Sequence, residues 1–206
     1  MTQKSNYEVE LRGDLSLSQK KRLVSFLQAN AKFIGKKKRL LIDYSTFIKG
    51  QELETRTKDI RLRSTNKITE AIIKIGKWGG KDSRQEISIK FKNKFDDLVQ
   101  LFGLLGYEKG MLCERVIDEY QFRNILFAIV ALPDKTYYFE AEIVTTKQEM
   151  VEKIKQDIRK VCASLGLSIF SDLEYFDYIK KLNGKINKPF LFSQYKPGDF
   201  NKIYKI

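Results

Sequence analysis

Two pairs of glutamates, each pair separated by one residue, stand far apart in the chain: Glu8-Val9-Glu10 and Glu140-Ala141-Glu142. In an extended strand, residues two apart project from the same face. Each acid pair therefore shares one side, while Val9 or Ala141 takes the other. Cations follow the same spacing. Arg61 and Arg63 oppose Ile60 and Leu62, Lys74 opposes Ile73 and Ile75, and Arg84 and Glu86 oppose Ile87 and Ile89. One alternating strand is an ordinary solvated face of an antiparallel sheet. Repetition along the chain leaves two arrangements: the charged sides face bulk water, or they face one another across a closed sheet. In the closed case uncompensated charges would be costly, and a metal ion together with a polyphosphate would compensate them.

The elements that must position these residues read as α+β. Period-two alternation predicts strands near residues 7–12, 39–44, 59–64, 70–76, 84–91, 111–117, 122–132 and 137–144. Apolar residues three and four apart predict four helices. The first is capped by Ser18, and the second starts at Asn93 and stops at Gly106. The third runs over 146–165, and the fourth carries Leu173, Phe176, Ile179 and Leu182 ahead of Gly184. These helices are expected to cover the apolar sides of all the strands. The run Lys36-Lys37-Lys38-Arg39 reads as a solvated loop entering the second strand. Pro133, Pro189 and Pro197 all lie late, so a single domain is expected over residues 1–182, followed by a basic tail, 183–206, draped on it.

Composition narrows the chemistry. The chain has 206 residues, 42% of them hydrophobic, and a formal charge of +13. Such a charge favours an anionic partner. Histidine is absent, which excludes a Ser/His/Asp triad, a Cys/His dyad, a His-ligated zinc site and an imidazole proton shuttle. Cys113 and Cys162 form no CxxC pattern, so a reducing compartment is expected. No apolar run approaches the ~20 residues of a membrane span, and the N-terminus lacks the apolar centre of a signal peptide. A soluble cytoplasmic protein with no membrane contact is the expectation.

The order of motifs resembles the CYTH superfamily of triphosphate tunnel enzymes. The match runs through Glu8-x-Glu10-x-Arg12, Asp43-Tyr44, Arg61-x-Arg63 after Asp59, Lys74 before a Gly-rich turn, Arg84-x-Glu86, Arg115 and Glu140-x-Glu142, over about residues 6 to 182. The resemblance implies an eight-stranded antiparallel β-barrel, the triphosphate tunnel, with flanking amphipathic helices. It implies Mg²⁺ or Mn²⁺ held by Glu8, Glu10, Glu140 and Glu142, hard cations suited to carboxylate oxygens. It also implies a triphosphate held by Arg12, Arg61, Arg63, Lys74, Arg84 and Arg115, whose guanidinium forks suit phosphate oxygens.

Three positions depart from the family. Arg12 replaces a lysine, so that position binds phosphate but accepts no proton. Cys113-Glu114-Arg115 replaces a Lys-x-Arg pair, which leaves one cation fewer for the phosphates. Residues 127–132 lack the acid associated with a second metal. Glu86 then becomes the candidate for orienting water, and it stands beside Arg12 as the expected catalytic pair.

Three functions follow. The first is hydrolysis of inorganic triphosphate, a nucleoside triphosphate or a similar small molecule. The second is a class IV adenylate cyclase that makes cyclic AMP and pyrophosphate from ATP. The third is a non-catalytic binder of RNA, its 5′-triphosphate or polyphosphate, using the lysine run and the tail aromatics Phe190, Phe192, Tyr195 and Tyr204. Trp78 is expected at a hairpin rim, Cys162 in the core and Cys113 on the tunnel wall. Asp43 and Tyr44 are expected to be structural.

Overall fold

Eight antiparallel strands close into a ring in the computed structural model, which describes residues 7–77, 81–92 and 94–204, the side chains of 81–84 excepted. They are β1 (Tyr7–Leu15), β2 (Lys32–Asp43), β3 (Lys58–Thr65), β4 (Ile68–Ile75), β5 (Lys81–Lys92), β6 (Lys109–Phe122), β7 (Ile125–Ala131) and β8 (Tyr137–Thr145). Their order round the ring is β2-β3-β4-β5-β1-β8-β7-β6, and β2 pairs again with β6. That last ladder runs from Lys32 opposite Gln121 to Asp43 opposite Met111. Closure gives every strand two neighbours and turns one face of each inward. All eight expected strands are present. A ninth, β9 (Lys188–Leu191), extends the sheet beyond β6.

The outward faces carry the hydrophobic core in two halves. Helices α1 (Leu17–Asn30) and α3 (Val151–Ser164) lie over one side of the ring, where Leu23, Leu27, Ile154, Ile158 and Cys162 pack on Val9, Leu11, Phe127, Phe139 and Ala141. On the other side α2 (Phe95–Leu104), β9 and the short α5 (Asp199–Tyr204) bury Leu40, Ile42, Ile60 and Leu62 beneath Phe95, Leu98, Val99, Phe190 and Phe200. Helix α4 (Asp172–Lys185) belongs to neither half. It carries Tyr175 and Phe176 against Leu53, Phe170 and Ile179. No helix of the described residues is long and apolar enough to cross a membrane.

Four expectations are corrected. Ser16, not Ser18, caps α1, because its hydroxyl and the Gln19 side chain complete a reciprocal capping box. The lysine run is no loop: β6 is long enough to pair with β2 along Lys36 to Arg39, which makes the run part of the wall. Gly184 does not stop α4, since a helical glycine costs only about 1 kcal/mol and the helix continues to Lys185. The helices also fail to cover every apolar face. Ile73 and Ile75 of β4 and Ile87 and Ile89 of β5 remain exposed on the outside of the ring, at 42% to 57% of their surface. Asn93 and Trp78 lie outside the described residues.

A charged lumen as the candidate active site

Register builds the site. Along the β1–β8 ladder Glu10 stands opposite Glu142 and Arg12 opposite Glu140. The two acid pairs, distant in sequence, thus become cross-strand neighbours on the face turned away from Val9, Leu11 and Ala141, which are buried outside. On the same inner face Lys74 of β4 stands opposite Glu86 of β5, and Arg61 and Arg63 alternate with the buried Ile60 and Leu62 on β3. Arg115 comes from β6. Arg84 pairs in register with Glu8; its side chain lies outside the described residues.

These charges satisfy one another in a chain of ion pairs. Arg12 Nε lies 2.6 Å from Glu10 Oε1 and 3.6 Å from Glu140 Oε1. Lys74 Nζ bridges Glu8 Oε2 at 2.5 Å and Glu86 Oε2 at 2.8 Å. Arg61 donates from Nε to Asp59 Oδ1 at 2.8 Å, and Arg63 Nη2 lies 2.6 Å from Glu70 Oε2. Lys37 Nζ meets Glu119 at 2.6 Å. Arg56, buried at 1% exposure, clamps Asp43 and Asp59, which makes Asp43 structural. Tyr44 is structural as well, stacked on Phe102 in the outer core.

The acids do not behave alike. Burial, then the charges of Glu140 and Glu142, raise Glu10 well above the usual carboxylate range, against the pull of Arg12. Burial together with Glu8 and Glu140 pushes Glu142 up to about 7. Burial would raise Glu140 too, but Arg12 and Arg39 outweigh it and hold it low. At Glu86 burial is likewise outweighed, here by Lys74. Burial and like charges on adjacent strands both disfavour the ionised form of a carboxylate.

Among the described residues no three of these acids gather round one point as the side chains stand. Glu8 is drawn to Lys74 and Glu10 to Arg12. The donor set still suits a hard divalent cation. All the oxygens are carboxylate oxygens, and Glu10 Oε1 is buried, with an ion pair to Arg12 but no hydrogen bond. On the β7 side the wall adds no acid, because β7 places Leu126 opposite Glu142 and Ala128 opposite Glu140. Cys113 lies on the tunnel wall, where burial pushes its thiol up to about 11.

Sequence reasoning missed Arg39. It stands opposite Arg115 across the β2–β6 ladder and donates from Nε to Thr65 Oγ1 at 3.2 Å. This places a second positive charge next to Arg115. Extending the period-two reading backward from Leu41 would have found it. The lysine run concealed that signal.

Helix α4 lies against inner-face residues of the ring. Its Tyr175 ring lies 5.1 Å from the Arg12 guanidinium, and Lys180 pairs with Glu54. Tyr178 meets Tyr138 of β8 edge-on at 6.0 Å. Just beyond the helix, Asn187 Oδ1 accepts from Arg115 Nη1 at 3.2 Å.

No family model and no curated protein matches the chain. Solved structures do. A Pyrococcus horikoshii protein superposes with a TM-score of 0.70 at 17% identity, covering 85% of this chain and 99% of its own. A Vibrio parahaemolyticus protein described as a candidate adenylate cyclase gives 0.60 at 14% identity, over 79% of this chain and 90% of its own. A Hippeastrum protein described as a candidate adenylyl cyclase with a dominant triphosphatase activity gives 0.54 at 14% identity, over 84% and 95%. At these identities the likeness is one of architecture, and the α+β fold built on a closed antiparallel tunnel, expected from the order of motifs, is the fold this chain shares with them.

Proposed function

We propose that the lumen binds a triphosphate-containing small molecule and hydrolyses it with the help of Mg²⁺ or Mn²⁺. The observation that carries this reading is the β1–β8 register, which sets Glu10 against Glu142 and Arg12 against Glu140 on the inner face of a closed ring lined by cations. The ion, held by Glu8, Glu10, Glu140 and Glu142, supplies charge neutralisation at the phosphate oxygens.

The chain's own residues do the rest. Arg12, Arg61, Arg63, Lys74, Arg84 and Arg115 bind the non-bridging oxygens and offset the charge that develops on transfer. Arg61 and Arg63 are paired with Asp59 and Glu70, so substrate engages them by exchange. Glu86, held ionised by Lys74, accepts a hydrogen bond from the attacking water and orients it. A fixed set of charges in a closed barrel costs little reorganisation at the moment of reaction.

Two neighbours are described as candidate cyclases, one of them with dominant triphosphatase activity, which supports the hydrolase reading ahead of the cyclase. The test is phosphate release from tripolyphosphate, ATP, GTP, thiamine triphosphate and 5′-triphosphorylated RNA with each metal, run beside a cyclic AMP assay. Orthophosphate is expected. Cyclic AMP with pyrophosphate would transfer the site to the cyclase, and tight binding without turnover would make the chain a polyanion binder. Glu140→Gln should abolish metal-dependent turnover with an unchanged circular dichroism spectrum; undiminished turnover would remove Glu140 from the reaction.

A further inference from the structure

The lysine run is divided by the wall it builds. Alternation along β2 turns Lys37 inward, where it meets Glu119, and turns Lys36 and Lys38 outward with Leu40 and Ile42 of the outer core. Both outward lysines are exposed. Lys36 Nζ stands 3.8 Å from Asp118, and Lys38 has no ion pair among the described residues. The β3–β4 turn adds a third cation. Asn66 Oδ1 accepts from Lys38 N at 2.9 Å, Asn66 Nδ2 donates to Lys36 O at 3.2 Å, and the adjoining Lys67 is exposed. In a chain of net charge +13 this is positive charge on the outer side of the wall, away from the lumen acids.

Beside these cations the outside of the wall is apolar. Register sets Lys38 opposite Val116, Val116 opposite Ala131 and Ala131 opposite Tyr137, a row across four strands about 14 Å long at the usual strand spacing. Lys20 Nζ lies 5.2 Å from the Tyr137 ring, so the row has a cation at each end. Next to it the outward side chains of Leu40, Val116, Ala131, Pro133 and Tyr204 line a groove of about 260 Å³. The Tyr204 ring is stacked on Phe200 at 5.8 Å, which fixes it at the groove edge. Glu114 is the acid among the lining residues.

We propose that this outer face of the β2–β6–β7 wall is a docking surface for single-stranded RNA. Lys36, Lys38, Lys67 and, at the far end of the row, Lys20 hold the phosphates. The groove takes an unstacked base against Tyr204 and its aliphatic floor, as sequence-tolerant single-strand sites do. Glu114 accepts a hydrogen bond from a ribose 2′-hydroxyl, the group that separates RNA from DNA. An acid within a basic surface repels phosphate, but it suits a sugar donor. A duplex, whose bases are already paired and stacked, offers the groove nothing. The surface lies on the opposite side of the wall from the lumen and does not rest on the triphosphate reading.

The test is fluorescence anisotropy with a 5′-hydroxyl decauridylate labelled at its 3′ end, in EDTA, over a series of salt concentrations. The wild type should bind, less tightly as salt rises. Lys36→Gln combined with Lys38→Gln should make the log–log salt slope shallower by about 1.4, at about 0.7 for each cation lost on a single strand. Tyr204→Leu keeps an apolar contact with Phe200 but removes the stacking ring, and should weaken binding about tenfold with the slope unchanged. The wild type should prefer the RNA to the deoxy oligomer of the same sequence, and Glu114→Ala should bring the two affinities together. Any of four results would overturn the proposal: no binding by the wild type, a wild-type slope in the double lysine variant, wild-type affinity in Tyr204→Leu, or equal affinity for duplex RNA, for the deoxy oligomer or for a polyglutamate peptide of matching charge.

Discussion

Glu142 carries a cost that a bound cation would remove. Its folded pKa of about 7 lies above the ordinary carboxylate value, because burial and the neighbouring Glu8 and Glu140 oppose its ionisation. Such a group leaves stability untouched below the unfolded pKa, where both states hold the proton. It subtracts stability progressively as the pH climbs from there to about 7, and the full penalty remains above that. Glu142→Gln should therefore raise the thermal midpoint of the metal-free protein at pH 8 and leave it unchanged near pH 4.5; an equal shift at both values would show that the gain has another origin. At this scale much of the site was legible. The charged and apolar faces of β1, β3 and β8 follow from alternation alone, so the four glutamates, Arg61 and Arg63 could be assigned to one side of their strands without coordinates; closure of the ring makes that side the inner one. What could not be read were the partners. That Arg63 engages Glu70, or that Lys74 bridges Glu8 and Glu86, depends on strand order and rotamers, and a one-dimensional pattern contains neither.

Strand β1 meets the segment after α3 closely enough that only glycine fits at position 13. A Cβ there would strike the backbone carbonyl oxygen of Ser168 and the ring of Phe139, while Phe170 N donates to Arg12 O at 2.9 Å and holds the same segment down. Gly13→Ala should cost about 1 to 3 kcal/mol, the range for overpacking, in urea unfolding; a variant as stable as the wild type would mean the segment yields. The opposite holds on β4 and β5. Ile87 and Ile89 are already more than half exposed, so replacing both with Thr should move stability by less than about 0.5 kcal/mol each, and a larger loss would reveal packing hidden from the monomer. Most of the eight main strands were legible because a charged face alternates with an apolar one, whereas β7 is a short run of apolar residues. β9 was not legible: a four-residue strand containing Pro189 falls below any periodic signal, and proline is tolerated there because the strand lies at the edge beyond β6.

Closure is the property of the whole molecule that turns charged strands into a site, and no single element encodes it. It depends on β2 and β6 being long enough, at 12 and 14 residues, to meet after seven intervening pairings. The last residues of the chain reinforce that seam from outside. β9 pairs with β6, and α5 is pinned beneath α2 by Asp96, whose carboxylate accepts from Tyr195 OH at 2.7 Å and from the backbone N–H groups of Gly198, Phe200 and Asn201. An acid at the start of a helix also opposes the positive end of its dipole. Asp96→Ala would leave those donors unsatisfied beside the outer core, at a cost of about 1 to 3 kcal/mol. Because the tail covers β2 and β6 from outside, loss of the clamp should be visible twice, as a lower urea midpoint and as faster proteolysis after residue 187, while the inner charges keep their register. Asp96→Asn, which retains one carbonyl acceptor, should fall between the two. A tail that stays protected in Asp96→Ala would show that the aromatic packing of Phe190, Tyr195 and Phe200 suffices to hold it, and that the carboxylate serves α5 alone.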